Sequence, residues 1–232
     1  MALAWQASLF DGDVVAVDRG AVPIPRTELA GGAWLEHAPG WLRGSDALFA
    51  ELVERAPWSQ KQRHMYDRMV DEPRLTAWWS HRSDGHWVPP VLHELRAELS
   101  ARYRVRFSPI GCNLYRDGAD SVAWHGDTVR RTQAESVIAI VSLGQPRRFL
   151  LRPRGGGRSL RYDLGAGDLL VMGGTCQHTW EHCVPKARAA GPRLSVTFRH
   201  GGGATTPPTA RVPRGRTSPG VPGSRAGTAP SR

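Results

Sequence analysis

Trp124-His125-Gly126-Asp127 sets an imidazole and a carboxylate two positions apart, and two further histidines, His178 and His182, follow much later in the chain. In an extended segment residues i and i+2 project to one face, so one short stretch can supply two metal ligands. With one of the late histidines they complete two imidazoles and one carboxylate, a set that leaves three positions open on octahedral Fe(II) for a bidentate co-substrate and O2. Spacing alone does not choose between His178 and His182. Beyond them, Arg193 and Arg199 lie on a stretch rich in β-formers. Guanidinium forks clamp carboxylates in bidentate fashion and stay charged, so arginine beside an open iron site points to 2-oxoglutarate as co-substrate. Zinc held by two histidines and an aspartate is the rival, but a hydrolytic zinc site has no general need of the arginine pair. The residues read as an oxygenase site.

The two arginines would stand about 20 Å apart on a fully extended strand, at roughly 3.3 Å per residue. A bulge or separate roles are therefore required. Arg193 is expected to pair with the distal carboxylate of the co-substrate, and Arg199 to act nearer the metal, directly or through Asp127.

These side chains need a framework of short strands. Short runs rich in β-formers, separated by Gly, Asp and Pro, cover 110–115, 121–125, 137–143, 148–151, 159–162, 168–172 and 193–199. Helical spacing marks 46–55, behind a Ser45 or Asp46 cap, and 90–103, where Pro90 suits a first turn. The expected fold class is α+β and mainly β, a double-stranded β-helix (jelly roll) with flanking helices. Early and late strands can lie side by side in such a barrel, which lets His125 meet a late histidine.

The chain has 232 residues and a formal charge of +10, which falls to +5 without the last 32 residues, where five arginines stand and no acid. Such a balance suits a polyanionic partner without demanding one. From Gly201 onward the sequence is Gly, Pro, Thr, Ser and Arg with few large apolar residues, so 201–232 is expected to be a disordered tail. Residues 1–200 are expected to form one domain, with the motifs concentrated in 105–200. Cys112, Cys176 and Cys183 form no CxxC pair, which favours a reducing compartment. No leader pattern or long apolar run is visible, so a monomeric cytoplasmic protein without a membrane partner is expected.

Read in order, Asn113-Leu-Tyr115, Trp124-His125-Gly-Asp127, Ser142-Leu-Gly, Gly167-Asp-Leu-Leu-Val-Met, His182-Cys-Val-Pro-Lys and Pro192-Arg193-Leu-Ser-Val-Thr197-Phe-Arg199 resemble the AlkB family of Fe(II)/2-oxoglutarate-dependent dealkylating dioxygenases over residues 60–200. The resemblance implies His125, Asp127 and His182 as iron ligands, with His178 a neighbour. It also implies that Asn113, Tyr115, Arg193, Thr197 and Arg199 bind 2-oxoglutarate. The implied activity is oxidative demethylation of N-alkylated bases such as 1-methyladenine and 3-methylcytosine in DNA or RNA, read here as single-stranded. The same chemistry on tRNA, protein or a small molecule, or an idle nucleic-acid-binding module, are the alternatives.

On the substrate side, Glu72-Pro-Arg74-Leu-Thr-Ala-Trp78-Trp79 resembles a Pro-Arg segment of the family, so Arg74 and one of Trp78, Trp79 and Trp87 are expected at the base. Aromatic faces beside cations suit alkylated bases. Two departures stand out. The family's Tyr-x-Phe or Tyr-x-Tyr segment is missing after Trp79, and Thr128-Val-Arg130-Arg131 replaces the acidic residues that several members carry after the aspartate. Arg130, Arg131, Arg147, Arg152, Arg154 and Arg158, around Gly155-Gly-Gly157, suggest a patch for the nucleic-acid backbone or else a solvated hairpin.

Overall fold

A computed structural model of the chain describes residues 3, 5, 14–17, 23–65, 67–79, 88–128 and 133–200. The expected tail, Trp87, Arg130 and Arg131 lie outside the described residues. The elements run β1 (Ala16–Val17), β2 (Arg26–Leu29), β3 (Ala33–Ala38), β4 (Leu42–Arg43), α1 (Ser45–Arg55), β5 (Gln62–Met65), β6 (Arg68–Asp71) and β7 (Leu75–Trp79). They continue with α2 (Pro90–Tyr103), β8 (Phe107–Tyr115), β9 (Val122–His125), β10 (Ile138–Gly144), β11 (Arg147–Pro153) and β12 (Leu160–Leu164). Last come β13 (Leu169–Gly174), the single turn α3 (Cys176–Thr179), β14 (Trp180–Val184) and β15 (Arg193–His200).

Two antiparallel sheets carry the site. The larger has the order β2-β3-β13-β10-β15-β8-β7 and the smaller β12-β11-β14-β9. Strands distant in sequence thus become neighbours, as a jelly roll requires. One core lies between the larger sheet and the helices, where Leu48, Phe49 and Leu52 of α1 and Leu92, Leu95 and Leu99 of α2 meet Val141, Val196 and Phe198. The second core lies between the sheets, where Ile138, Ile140 and Met172 meet Phe149, Leu151 and Val184. Burial on both faces explains why β10 reads as an apolar run broken only by Ser142 before its closing glycine.

Period two then sorts the central strands. On β15, Leu194, Val196 and Phe198 enter the helix-side core, while Arg193, Ser195, Thr197 and Arg199 line a cavity. On β8, Ile110, Cys112 and Leu114 enter that core, while Asn113 and Tyr115 turn to the cavity. On β7, Thr76 and Trp78 line the cavity.

Several expectations need correction. Trp79 is 3% exposed in the helix-side core, on the face opposite Trp78, so it is a packing residue and not a base contact. The first helix starts behind Gly44, which holds the left-handed conformation that glycine tolerates, rather than behind a Ser45 or Asp46 cap. The strands β2, at the edge, and β3 beside it extend the larger sheet, and β14, with no clean alternation of its own, carries His182.

Candidate metal centre and its cavity

His125 and His182 meet because β9 and β14 pair with these two residues directly opposite each other. Their ring centroids are 4.3 Å apart, and Phe149 stacks on His182 at 5.2 Å. Nδ1 of His125 lies 2.9 Å from the Ala123 carbonyl oxygen, which can only accept, so Nδ1 is the donor there and Nε2 is the ring nitrogen left to face a metal. Burial pushes His182 down to about 3, so its imidazole is neutral at pH 7 and offers a ligand nitrogen without losing a proton.

Asp127 does not share the strand, because β9 ends at His125 and the carboxylate stands in the segment beyond it. Two contacts fix it there. Its backbone N–H donates to Oε1 of buried Gln177 at 2.8 Å, and Arg199 Nη2 donates to Oδ1 at 2.9 Å. A Cβ on the intervening Gly126 would lie 2.6 Å from Arg154 Nη2 and 2.6 Å from the Gln177 carbonyl, so glycine is what lets the chain pass here. Burial alone would raise the Asp127 pKa; the charge of Arg199 and its hydrogen bond outweigh it and hold the carboxyl below its ordinary 3.8. The ligand atoms of His125, Asp127 and His182 all lie within 4.8 Å of one another. Ligands on one face of an octahedral ion, with bonds of about 2.1–2.2 Å, stand about 3 Å apart, so the three side chains would have to draw inward to hold one ion.

His178 is elsewhere. It sits exposed on α3, with Nε2 2.9 Å from the Gln133 carbonyl. The three-residue cluster therefore includes His182 and leaves His178 out.

The cavity beside this cluster has a volume of about 380 Å³. Arg193 stands on its wall, 1% exposed, with its guanidinium 5.4 Å from the Tyr115 ring centroid and Nε donating to Ser142 Oγ at 2.9 Å. Burial pushes Arg193 down to about 10, still charged at pH 7. A buried cation of this kind needs an anionic partner, and a co-substrate carboxylate is one. Arg199 keeps a second donor, Nη1, which is buried with no hydrogen-bond partner among the described residues. Both observations fit 2-oxoglutarate beside the metal. Arg193 and Arg199 contact different groups, as the length of the strand requires.

Asn113 and Tyr115 face the same cavity from β8, and Thr197 from β15. Arg74 joins the two sides: Nη2 pairs with Glu72 Oε2 at 2.8 Å, and Nε donates to Asn113 Oδ1 at 3.2 Å. Trp78 is 39% exposed at the cavity wall, with the Arg199 guanidinium carbon 4.8 Å from its ring and Lys61 Nζ at 5.5 Å.

Sequence reasoning passed over Ser142, Ser195, Gln177, Glu72 and Lys61. Ser142 interrupts the apolar run of β10 and Ser195 alternates with the arginines of β15, so both carried a signal in their period. Gln177 carried none. Of the six arginines read as a backbone-binding patch or a solvated hairpin, Arg147, Arg152 and Arg154 make contacts within the fold. Buried Arg147 donates to the carbonyls of Asp117, Asp120 and Pro185 at 2.7, 2.8 and 2.9 Å. Arg154 donates to the carbonyls of His178 and Gln177, and Arg152 pairs with Glu181 at 2.6 Å.

The sequence matches the family model described as "2OG-Fe(II) oxygenase superfamily" over residues 35–199. The "Alpha-ketoglutarate-dependent dioxygenase alkB homolog 3" of Mus musculus is 33% identical over 183 residues, covering 69% of this chain and 64% of that protein. The "DNA oxidative demethylase ALKBH2" of Arabidopsis thaliana is 31% identical over 194 residues, covering 66% of this chain and 60% of that protein. The chain thus spans less than two thirds of the length of these curated relatives. The solved structure of OsALKBH1 superposes with a TM-score of 0.54 at 16% identity, covering 76% of this chain and 100% of that one, a likeness of fold. With its jelly roll and its ordered ligand and arginine motifs, the chain belongs to the 2OG-Fe(II) oxygenase superfamily, and within it to the AlkB family.

Proposed function

We propose that this protein is an Fe(II)- and 2-oxoglutarate-dependent dioxygenase that oxidatively removes alkyl groups from base nitrogens in nucleic acid, with 1-methyladenine and 3-methylcytosine as substrates. The observation that carries this reading is the junction of two opposed features in one cavity: the His125, Asp127 and His182 cluster and the buried cation of Arg193. In the presence of O2, bound iron and 2-oxoglutarate supply the oxidising power to hydroxylate the alkyl carbon, which then leaves the base nitrogen as an aldehyde, formaldehyde for a methyl group.

The chain's own residues position the reactants. His125, Asp127 and His182 hold the metal, and Arg199 keeps Asp127 ionised and oriented. Arg193 receives the distal carboxylate of 2-oxoglutarate, with Asn113, Tyr115 and Thr197 as hydrogen-bonding neighbours. Trp78 offers an aromatic face to the base, and stacking with cation–π attraction favours an alkylated, positively charged ring. Arg74 binds on the substrate side and, through Asn113, ties that side to the co-substrate pocket. Walls such as Phe149, Ile140 and Val184 exclude water from the reacting atoms.

The partner is read as single-stranded DNA or RNA and the protein as a cytoplasmic monomer built on one domain over residues 1–200. No helix among the described residues is long and apolar enough to cross a membrane. The deciding experiment measures formaldehyde release and base restoration on single-stranded oligonucleotides carrying 1-methyladenine or 3-methylcytosine, with Fe(II) and 2-oxoglutarate. Repair that disappears in His125→Ala supports the reading. Succinate formation without repair would keep the oxygenase and reject the substrate.

A further inference from the structure

A second cavity, about 510 Å³ in volume, adjoins the one beside the candidate metal centre and shares four wall residues with it: Glu72, Arg74, Val122 and His125. Its own walls are Val70 and Pro73 on one side and Ala123 and Trp124 on the other, with Lys186 at its edge. The Ser121 N–H donates to the Pro73 carbonyl at 2.8 Å, which ties the two walls together. The lining is largely apolar. Of its two acids, Glu72 is paired with Arg74, and Asp71 accepts from Gln62 Nε2 at 3.0 Å.

Trp124 gives this groove its chemistry. The Arg152 guanidinium carbon lies 3.9 Å from the indole centroid, and Arg152 is itself held by Glu181 at 2.6 Å. The indole is therefore a backed aromatic wall rather than a loose surface side chain. An aromatic wall with apolar neighbours and a cation at the rim is the combination that binds one nucleotide of a single strand, by stacking the base and attracting the phosphate.

We propose that this groove receives the nucleotide adjacent to the target base, with its base against Trp124 and its phosphate near Lys186. The proposal rests on the reading of the first cavity as a nucleic-acid dealkylation site, because the shared wall at His125 and Arg74 puts the two occupants on one strand. A neighbour held in a duplex is paired and stacked, and is not free to enter. The groove thus supplies a physical reason for single-strand preference.

The test compares two substrates, a 1-methyladenine mononucleotide and a trinucleotide with 1-methyladenine at its centre, on the wild type, Trp124→Ala and Val70→Trp. Val70→Trp fills the groove from the wall that carries no metal ligand, so it answers for any disturbance of β9 in Trp124→Ala. The quantity read is the ratio of kcat/KM for trinucleotide over mononucleotide. The wild type is expected to favour the trinucleotide about tenfold or more, and both variants to lose most of that preference. A wild-type ratio near one, or a ratio unchanged in both variants, overturns the proposal. If neither substrate turns over, the dealkylation reading fails, and binding of an unmodified fluorescent trinucleotide judges the groove on its own. Weakening by about tenfold in both variants supports it, and equal affinity in all three proteins overturns it.

Discussion

Arg199 Nη2 donates to Asp127 Oδ1 at 2.9 Å, joining the last strand of the larger sheet to the carboxylate that follows β9 of the smaller one. The bond restrains one carboxylate oxygen and leaves the other free of Arg199. Outer partners of this kind commonly contribute about 10–100-fold to metal affinity. Arg199→Met is expected to weaken Mn(II) binding, followed calorimetrically in the absence of O2, by an amount in that range. Arg199→Lys keeps a charge without the fork and should fall between. Unchanged affinity in Arg199→Met would mean that Asp127 is positioned by the Gln177 contact alone.

His182→Ala is expected to abolish turnover, whereas His178→Ala should retain most of it. The two histidines are four residues apart in sequence, yet only His182 faces His125 across a strand pair, and His178 is exposed on α3. Formaldehyde release from both variants, with iron content measured alongside, separates them. Equal loss in both would undo the choice of ligand.

The sequence disclosed the fold class and the His125 and Asp127 pair because both depend on local pattern, whereas His182 was set apart from His178 only by the family resemblance. The apolar run of β10 and the alternation Arg-Leu-Ser-Val-Thr-Phe-Arg of β15 each follow from strands buried on two faces or on one face and a cavity. What stayed hidden depends on register. Trp78 and Trp79 are adjacent and chemically identical, and only the pairing of β7 with β8, Trp78 opposite Gly111, decides which enters the cavity. Arg147 read as surface charge because its three carbonyl partners come from two separate loops, which no local pattern announces. The strand Trp-Glu-His-Cys-Val of β14 has no clean alternation, so its existence follows from its neighbours β11 and β9.

Gly111 should prove sensitive. A Cβ there would lie 2.8 Å from Cζ3 of Trp78 and 3.0 Å from Arg199 Nη1. The added methyl must lift the indole into the cavity or move the guanidinium away from Asp127. Gly111→Ala is accordingly expected to raise KM for the oligonucleotide severalfold if the indole moves. It should weaken metal binding if the guanidinium moves. Measuring both, with circular dichroism to verify folding, distinguishes the two. Wild-type values for both would show that the sheet absorbs the methyl elsewhere.

Acid should destabilise the protein in a way that one buried carboxylate reports. Asp120 is 4% exposed and accepts from the Arg116 backbone N–H at 2.8 Å, from Nε at 2.7 Å and from Nη2 at 2.8 Å. Burial raises its pKa, but the Arg116 hydrogen bonds and charge outweigh that and hold it below the ordinary 3.8. As pH falls, the unfolded chain therefore takes up this proton before the folded one does, and each such proton favours unfolding. The stabilisation is complete above the ordinary carboxylate value and is lost as pH drops through the lower folded value. Asp127 and Asp168 are depressed in the same sense and add to the fall. Thermal unfolding midpoints between pH 7 and pH 3 should decline most steeply below about pH 4. Asp120→Asn should start from a lower midpoint at pH 7 and decline less. Parallel curves for the two proteins would show that the Arg116 pair contributes nothing to the acid response.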